Sequence, residues 1–367
     1  MAWLFHKPLD HSNRADWLRY GFLKLFFRSS KAIARIVPGK ERKLAWKELM
    51  FKLEAFTFFE HINIILNLDP DYQQSLGEVL EMVRGIKPEY HLWAIEGVGY
   101  IYAEKAFKKK EPPTGLLQDK NLPQWSLGAL HSGMGMLFAI RFLQDFKNSN
   151  LYSDPSRALE QYLHLSLDNS KPGYAEVPVE SLGFISRLLY PGELLVIDKL
   201  LQEINQELVA YFWHGVGRAL CFLPENLWPG RSFPWRAIEI AIKETPHEIG
   251  HLNVFSGLGW PLTLVNIREP RIMEHVLKYH QDSLSENDAF SNGVSSAVVL
   301  LMDSVGDSTL IDSFCDHQPD CSDPRLHETW IQVIKNPCEK ALTDFYPYLK
   351  KRNCWSEVFK YRDYKPY

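Results

Sequence analysis

Residues 213–218 read Trp213-His214-Gly215-Val216-Gly217-Arg218, and the glycine-apolar-glycine triplet at their centre recurs along the chain. The four such triplets begin at Gly97, Gly133, Gly215 and Gly257. Their spacings are 36, 82 and 42 residues, and Gly293 follows after another 36. The long spacing accommodates two units, with Gly173 or Gly183 marking the missing one. The pattern therefore predicts about six units of about 40 residues each.

A unit of this length holds two helices and their loops. Apolar residues recur at helical spacing, as in Ile272-Met273-Val276-Leu277, whereas period-two alternation is scarce. We therefore predict an all-α fold of repeated helical hairpins that form an α/α toroid-like single domain. The glycines are expected near the starts of the inner helices, where the backbones pack closely. Residues 1–52 are expected to form a basic helical segment packed on an α/α repeat domain of residues 53–367.

The composition indicates a globular protein with an unusual number of rings. Of 367 residues, 21 are Phe, 16 Tyr and 11 Trp, which favours a large core or an apolar cavity. The net charge of -4 hides a basic N-terminus, because residues 1–52 hold 12 Lys and Arg against 4 Asp and Glu. The acidic remainder argues against nucleic-acid binding.

The hydropathy of the chain and the character of its N-terminus predict the cellular location. The chain has no apolar run of 18 residues, and its first residues do not resemble a secretory signal, so we expect a cytoplasmic protein. Trp17, Phe22 and Phe26 alternate with Arg19 and Lys24 as in an amphipathic helix, which suggests peripheral membrane contact. The alternative is that this helix packs on the main domain with its basic face in water.

The residues around the glycines are the candidates for chemistry. A polar residue precedes the first glycine of each unit, and the alternative explanation for Ser, Asn and Glu there is helix capping. Proton transfer through His or Glu and charge stabilisation by Arg would suit a small apolar substrate. The catalytic candidates are Glu96, His131, His214, Arg218 and Asn253. The substrate-binding candidates are Trp93, Tyr100, Trp213, Phe255, Trp260 and Asn292.

A competing motif is His247-Glu248-Ile249-Gly250-His251, which matches the HExxH pattern of zinc hydrolases. On a helix its two histidines would face one zinc ion, and the glutamate would activate a water molecule. A metzincin is excluded, because Val254 and Gly257 stand where that class has Gly and His. Glu269 is the alternative third ligand, and zinc is the alternative cofactor.

The glycine segments together resemble a known family. Residues 94–99, 131–139, 214–222, 255–260 and 292–297 are similar, in order, to the signature segments of the family first noted in enediyne biosynthetic gene clusters. The resemblance implies bacterial natural-product biosynthesis, with tailoring or cyclising enzymes that act on polyketide- or terpenoid-derived scaffolds and form carbon-carbon bonds. One departure is His251-Leu252-Asn253, which replaces the usual Arg-and-Asp approach to the fourth segment.

Three functions are thus kept open. The leading hypothesis is a cofactor-independent cyclase or other C-C bond-forming enzyme of secondary metabolism, whose partner is a hydrophobic small molecule. The second is a zinc-dependent hydrolase built on His247 and His251. The third is a non-catalytic α-repeat that binds a partner or carries a metabolite.

Overall fold

The computed structural model describes residues 42–68, 74–108, 112–148, 154–223, 226, 235–320 and 322–363. These residues are mostly helical and contain no strand, which confirms the all-α class. The predicted amphipathic helix and its membrane contact concern residues that lie outside these ranges.

Most of the described residues lie in α-helices. In chain order they are α1 (Arg42–Glu60), α2 (Ile62–Ile65), α3 (Leu76–Val83), α4 (His91–Phe107), α5 (Gln124–Asn148), α6 (Pro155–Asn169), α7 (Val177–Leu189), α8 (Leu194–Ile204), α9 (Glu207–Leu220), α10 (Trp235–Glu244), α11 (Glu248–Asn266), α12 (Arg271–Ser285), α13 (Ala289–Val305), α14 (Thr309–Cys315), α15 (Pro324–Trp330), α16 (Asn336–Lys340) and α17 (Tyr346–Arg352). Single 3₁₀ turns cover Pro88–Tyr90, Pro191–Glu193 and Trp355–Phe359. Two π-helical turns, Ile331–Lys335 and Ala341–Phe345, join α15, α16 and α17.

Six helices carry the repeated glycines and form the centre of the packing; we call α4, α5, α7, α9, α11 and α13 the glycine helices. Each packs against the next in this order, and α13 also contacts α4 and α5. From α5 onward one further helix, namely α6, α8, α10 or α12, separates successive glycine helices along the chain. The predicted pairing of two helices per unit therefore describes the chain from α5 to α13.

The glycines allow the backbones of neighbouring helices to touch. A Cβ atom on Gly215 would lie 1.8 Å from the carbonyl oxygen of Glu180, and one on Gly257 would lie 1.9 Å from that of His214. No side chain fits at such distances, so the crossing points require glycine. They lie inside the helices rather than at their starts, so the predicted placement of the glycines was wrong. The helix-capping alternative for Ser132, Ser256 and Asn292 fails for the same reason.

The structure identifies the missing unit. A Cβ on Gly183 would lie 1.8 Å from the carbonyl oxygen of Phe212, so Gly183 is a crossing glycine of α7. Gly173 instead lies in a turn with φ +90, against the backbone of Asn353. Ser181 occupies the place of the first glycine in α7, which is why the triplet count missed this unit.

The predicted boundary at residue 52 falls within helix α1, which runs from Arg42 to Glu60. Lys52 and Glu48, one turn apart on α1, are both buried and form an ion pair at 2.9 Å. Lys52 also donates to the carbonyl oxygen of Asn226 at 3.2 Å. Helix α1 thus belongs to the main body, where it packs on α4, α11 and α12.

One helix among the described residues is long and apolar enough to cross a membrane. It is the segment Gln124–Phe146 of α5, and 89% of its most apolar window is buried inside the fold. This is the environment of a core helix, which the packing of α5 against α4 and α7 explains.

Candidate functional site

The glycine helices present two rows of side chains. In each glycine helix, the first-row residue lies three positions before the second glycine of the triplet or the residue in its place. The second-row residue follows four positions later, one turn along the same helix face. The first row is Glu96, Ser132, Glu180, His214, Ser256 and Asn292. The second row is Tyr100, Met136, Phe184, Arg218, Trp260 and Ser296. Every first-row residue is buried, although all six are polar.

Arg218 joins three members of the first row into one buried cluster. Its Nη1 donates to Ser132 Oγ at 3.0 Å and lies 3.2 Å from Glu180 Oε2, and its Nη2 lies 3.0 Å from Glu96 Oε1. Ser132 Oγ donates to Glu96 Oε1 at 2.9 Å. Two carboxylates therefore share one guanidinium, at a place where Arg218 is 0% exposed.

The charges of this cluster favour one bound proton. With both carboxylates ionised the cluster would carry one net negative charge in a buried place, which is costly. Burial raises the pKa of Glu96 to about 7, although Arg218 and the hydrogen bond from Ser132 oppose the rise. Glu180 adds to the rise through its negative charge. Glu96 is thus a carboxylic acid that exchanges its proton near neutral pH.

His214 lies on the far side of Glu180. Its Nδ1 is 3.5 Å from Glu180 Oε1, and its ring meets the ring of Phe359 edge to face at 6.2 Å between centroids. Burial lowers the pKa of His214, and the nearby Arg218 and Arg362 add to this effect, whereas Glu180 opposes it. The imidazole is therefore a neutral neighbour of the cluster rather than a second cation.

A small cavity with aromatic walls adjoins Glu96 and Arg218. Its volume of about 20 Å³ is the space of one water molecule. The remaining lining residues are Ala55, Phe56, Phe59, Trp93, Met136, Phe184 and Phe222. Of the ring residues predicted to bind substrate, Trp93 lines this cavity, whereas Tyr100, Trp213, Phe255 and Trp260 do not. Helix α1 supplies three of the lining residues.

The rings around Arg218 face its guanidinium. Arg218 Cζ lies 4.7 Å from the Phe184 ring centroid and 5.1 Å from that of Trp260. Trp260 in turn meets Trp93 edge to face at 6.0 Å. The structure thus brings Glu96, Arg218, Trp93 and Trp260 together, as the sequence predicts.

Asn253 and Asn292, by contrast, hold the chain's own C-terminal strap, which we define as residues 354–363. Asn253 Oδ1 accepts from the backbone N–H of Tyr361 at 2.7 Å, and Asn292 Nδ2 donates to the carbonyl oxygen of Arg362 at 2.9 Å. Phe359 of the strap also packs against Trp260, with 6.1 Å between ring centroids. Both asparagines therefore position backbone, and neither lines the cavity beside Glu96.

His131 and Tyr100 also lie outside the Arg218 cluster. His131 Nδ1 donates to the carbonyl oxygen of Leu127 at 2.7 Å, and its Nε2 accepts from the backbone N–H of Lys171 at 2.9 Å. Burial lowers the pKa of His131 to about 4, so the ring is neutral and both nitrogens are used. Tyr100 packs edge to face on Phe59 at 5.7 Å and does not line the cavity.

The HExxH segment begins before its helix. His247 is the N-cap of α11, where its Nδ1 accepts from the backbone N–H of Gly250 at 2.9 Å. Its Nε2 lies 3.1 Å from Asp198 Oδ1, which also accepts from Trp213 Nε1 at 2.6 Å. Both nitrogens of His247 thus have partners, and Trp213 belongs to this capping network rather than to the cavity.

The remaining zinc candidates, His251 and Glu269, contact other residues. His251 lies 3.3 Å from Thr245 Oγ1 and packs on Phe255, with 4.9 Å between ring centroids. Glu269 pairs with Lys47 and Arg271. Within the described part of the chain, no three His, Cys, Asp or Glu side chains cluster as metal ligands would.

Glu180 is the principal residue that the sequence argument missed. It is 0% exposed, contacts Arg218, and occupies the first-row position of α7. Counting back three residues from Gly183 gives Glu180, just as counting back from Gly99 gives Glu96. The spacing to Gly183 therefore indicated Glu180. Because Ser181 stands where the first glycine of a triplet would be, the triplet pattern did not reveal this unit. The strap was missed because the repeat does not predict which segment of the chain packs over the glycine helices.

Comparison of the chain with protein-family models, with curated protein sequences and with solved structures finds no match in any of the three.

Proposed function

We propose that this protein is a cofactor-independent enzyme that cyclises an apolar, unsaturated small molecule, or otherwise forms a carbon-carbon bond in it, by proton transfer from Glu96. The observation that carries the proposal is the buried Glu96 carboxyl group, which lines an aromatic-walled cavity and has its pKa raised to about 7. The resemblance of the glycine segments to a biosynthetic family supports the same reaction class.

The cluster suits an acid that acts on an apolar substrate. Protonation of an alkene carbon breaks a π bond and leaves a cation, and a second alkene attacks this cation to form the C-C bond. Loss of a proton then gives an isomer of the substrate, so no redox partner is needed. Ring faces such as those of Trp93 and Phe184 stabilise a cation in a dry site. Arg218 and Ser132 position the Glu96 carboxyl group.

The test is incubation of the purified protein with linear polyprenyl hydrocarbons, alcohols and terminal epoxides in D₂O that contains EDTA. A cyclisation that Glu96 starts by protonating an alkene carbon leaves one deuterium on that carbon, which mass spectrometry detects. An epoxide or alcohol takes the deuteron on oxygen, where it exchanges, so its cyclic product is identified by chromatography against the linear probe. Because general acid catalysis typically contributes about 10² to 10⁴ in rate, Glu96→Gln should lower product formation by at least about 100-fold.

Glu104→Gln is the matched control, because Glu104 lies on the same helix α4 and its pKa is also raised by burial, but it does not line the cavity. It should retain the wild-type rate. Equal rates in wild type and Glu96→Gln would contradict the proposal. Cyclisation that EDTA abolishes and zinc restores would contradict the cofactor-independent part of the proposal.

The rate should also depend on pH through the same group. Because the protonated form of Glu96 is the donor, the rate should fall as the pH rises through about 7. A rate that rises over this range would identify the ionised carboxylate, a base, as the active form.

A second candidate function is a binding or carrier protein without catalysis. The observation that favours it is the small size of the cavity, whose volume of about 20 Å³ is the space of one water molecule. Stoichiometric retention of an apolar probe with no cyclised product would support this function.

A further inference from the structure

Two buried hydrogen-bond donors have no acceptor among the described residues, one on a residue that lines the cavity and one on a residue packed against it. They are Nε of Arg218 and Nε1 of Trp260, and both residues are 0% exposed. The guanidinium and the indole ring are neighbours, with 5.1 Å between Arg218 Cζ and the ring centroid. Buried donors are almost always hydrogen-bonded in proteins, so two such donors on neighbouring side chains indicate a place for an acceptor.

We propose that Arg218 and Trp260 bind an uncharged oxygen atom of the substrate, such as an epoxide, carbonyl or hydroxyl oxygen on an otherwise apolar chain. This inference rests on the proposed function, because it specifies the substrate class of the same site. It adds that the substrate carries an oxygen, whereas alkene protonation alone requires only a hydrocarbon.

The charges around Arg218 argue against a phosphate or diphosphate group. The guanidinium already faces two carboxylates, Glu96 and Glu180, at 3.0 and 3.2 Å. All other described lining residues of the cavity are uncharged, so no further cation is present to offset a dianion. A neutral acceptor adds hydrogen bonds without adding negative charge to the cluster.

An oxygen in this place would also be the group that Glu96 protonates. With an epoxide, the proton moves from Glu96 to the ring oxygen, and the C–O bond breaks with its electron pair remaining on the oxygen. The π electrons of a neighbouring alkene then form the C-C bond to the freed carbon. The final cation loses a proton, which balances the one that Glu96 gave, so the product is a hydroxylated isomer.

The test compares the binding of three polyprenyl probes of equal length: the hydrocarbon, its terminal epoxide and the diphosphate. Calorimetry on the full chain measures each dissociation constant. One added hydrogen bond is worth about a factor of ten, so the epoxide should bind about tenfold more tightly than the hydrocarbon. The diphosphate should bind no more tightly than the hydrocarbon.

Trp260→Phe removes the indole N–H but keeps a ring against Arg218, so it should reduce the epoxide preference to about threefold or less. Trp125→Phe is the matched control, because the Trp125 indole nitrogen also has no acceptor among the described residues, but its ring packs against Arg84 rather than Arg218. It should leave the preference unchanged. Arg218→Lys is a second variant that keeps the cation while removing Nε, and it too should reduce the preference.

The outcomes separate this inference from the proposed function. Equal binding of epoxide and hydrocarbon, or tighter binding of the diphosphate, would overturn the oxygen site and leave the apolar cavity in place. A Trp260→Phe variant that keeps the full tenfold preference would also overturn it. Failure of all three probes to bind would overturn the proposed function and this inference together.

Discussion

The two halves of the first row differ although the same repeat builds them. In the Arg218 half, Glu96, Ser132 and Glu180 contact one guanidinium, and Glu96 lines the cavity. In the strap half, Asn292 donates to the backbone of the C-terminal strap and accepts from Ser256 Oγ at 3.4 Å. The repeat therefore sets where a side chain lies, and its neighbours decide what it does.

The second row explains the difference. In α9 it contributes the long Arg218, which reaches across to α4, α5 and α7, whereas in α13 it contributes the small Ser296. Arg362 of the strap lies against this serine and donates to Ser296 Oγ at 2.7 Å. Each half thus contains one buried arginine, but only Arg218 comes from the repeat itself.

Arg218→Met should have the largest effect on stability. It leaves the buried carboxylates of Glu96 and Glu180 without their shared cation, and removal of one partner from a buried pair costs about 3–5 kcal/mol. Chemical denaturation measures this loss. The double variant Arg218→Met/Glu180→Gln should recover part of it, since one of the two carboxylates is then replaced. A neutral effect of Arg218→Met would contradict the shared-cation arrangement.

The crossing glycines should be equally important in both halves. Gly215→Ala and Gly293→Ala each place a Cβ 1.8 Å from a neighbouring carbonyl oxygen, so each should cost about 3 kcal/mol, the upper end of overpacking effects. Gly77→Ala is the control, because Gly77 lies in helix α3 with no atom within 4 Å of the added Cβ, and it should be neutral or slightly stabilising. Thermal unfolding compares the three. A large difference between the stability losses of Gly215→Ala and Gly293→Ala would show that the two halves do not share the same close helix packing.

Asn292→Ala should have the smallest and most local effect. It removes one buried hydrogen bond to the strap, which typically costs about 1 kcal/mol. Hydrogen exchange should accelerate in residues 354–363 and remain unchanged in α4, which carries Glu96. An equal acceleration of exchange in α4 would show that the two halves open as one cooperative unit, and it would contradict their independence.

The sequence predicted the helical class, and its repeated glycines singled out Glu96 and Arg218, because close helix crossings require glycine and the first-row and second-row residues stand at fixed positions beside it. It did not single out Glu180. It could not predict that His131 and Trp213 bond to distant loops and helices, as their contacts with Lys171 and Asp198 show. Such contacts depend on how outer elements pack, which a local repeat does not encode.

The size of the cavity could not be predicted from the sequence either. Aromatic residues near the glycines predicted an apolar space, but Phe56 and Phe59 of α1 and Phe222 of the segment after α9 fill it from outside the glycine triplets. The HExxH match illustrates the same point. Its spacing suits two ligands on one helix, yet His247 serves as the cap before α11.

The central claim is that Glu96 is a buried acid that holds its proton near neutral pH, and difference infrared spectroscopy of wild type against Glu96→Gln tests it most directly. The carboxylic acid C=O band of Glu96 should be present at low pH and disappear with a midpoint of about pH 7, against the ordinary value of 4.5. A Glu96 carboxyl group that ionises at pH 4.5 or below would contradict the account.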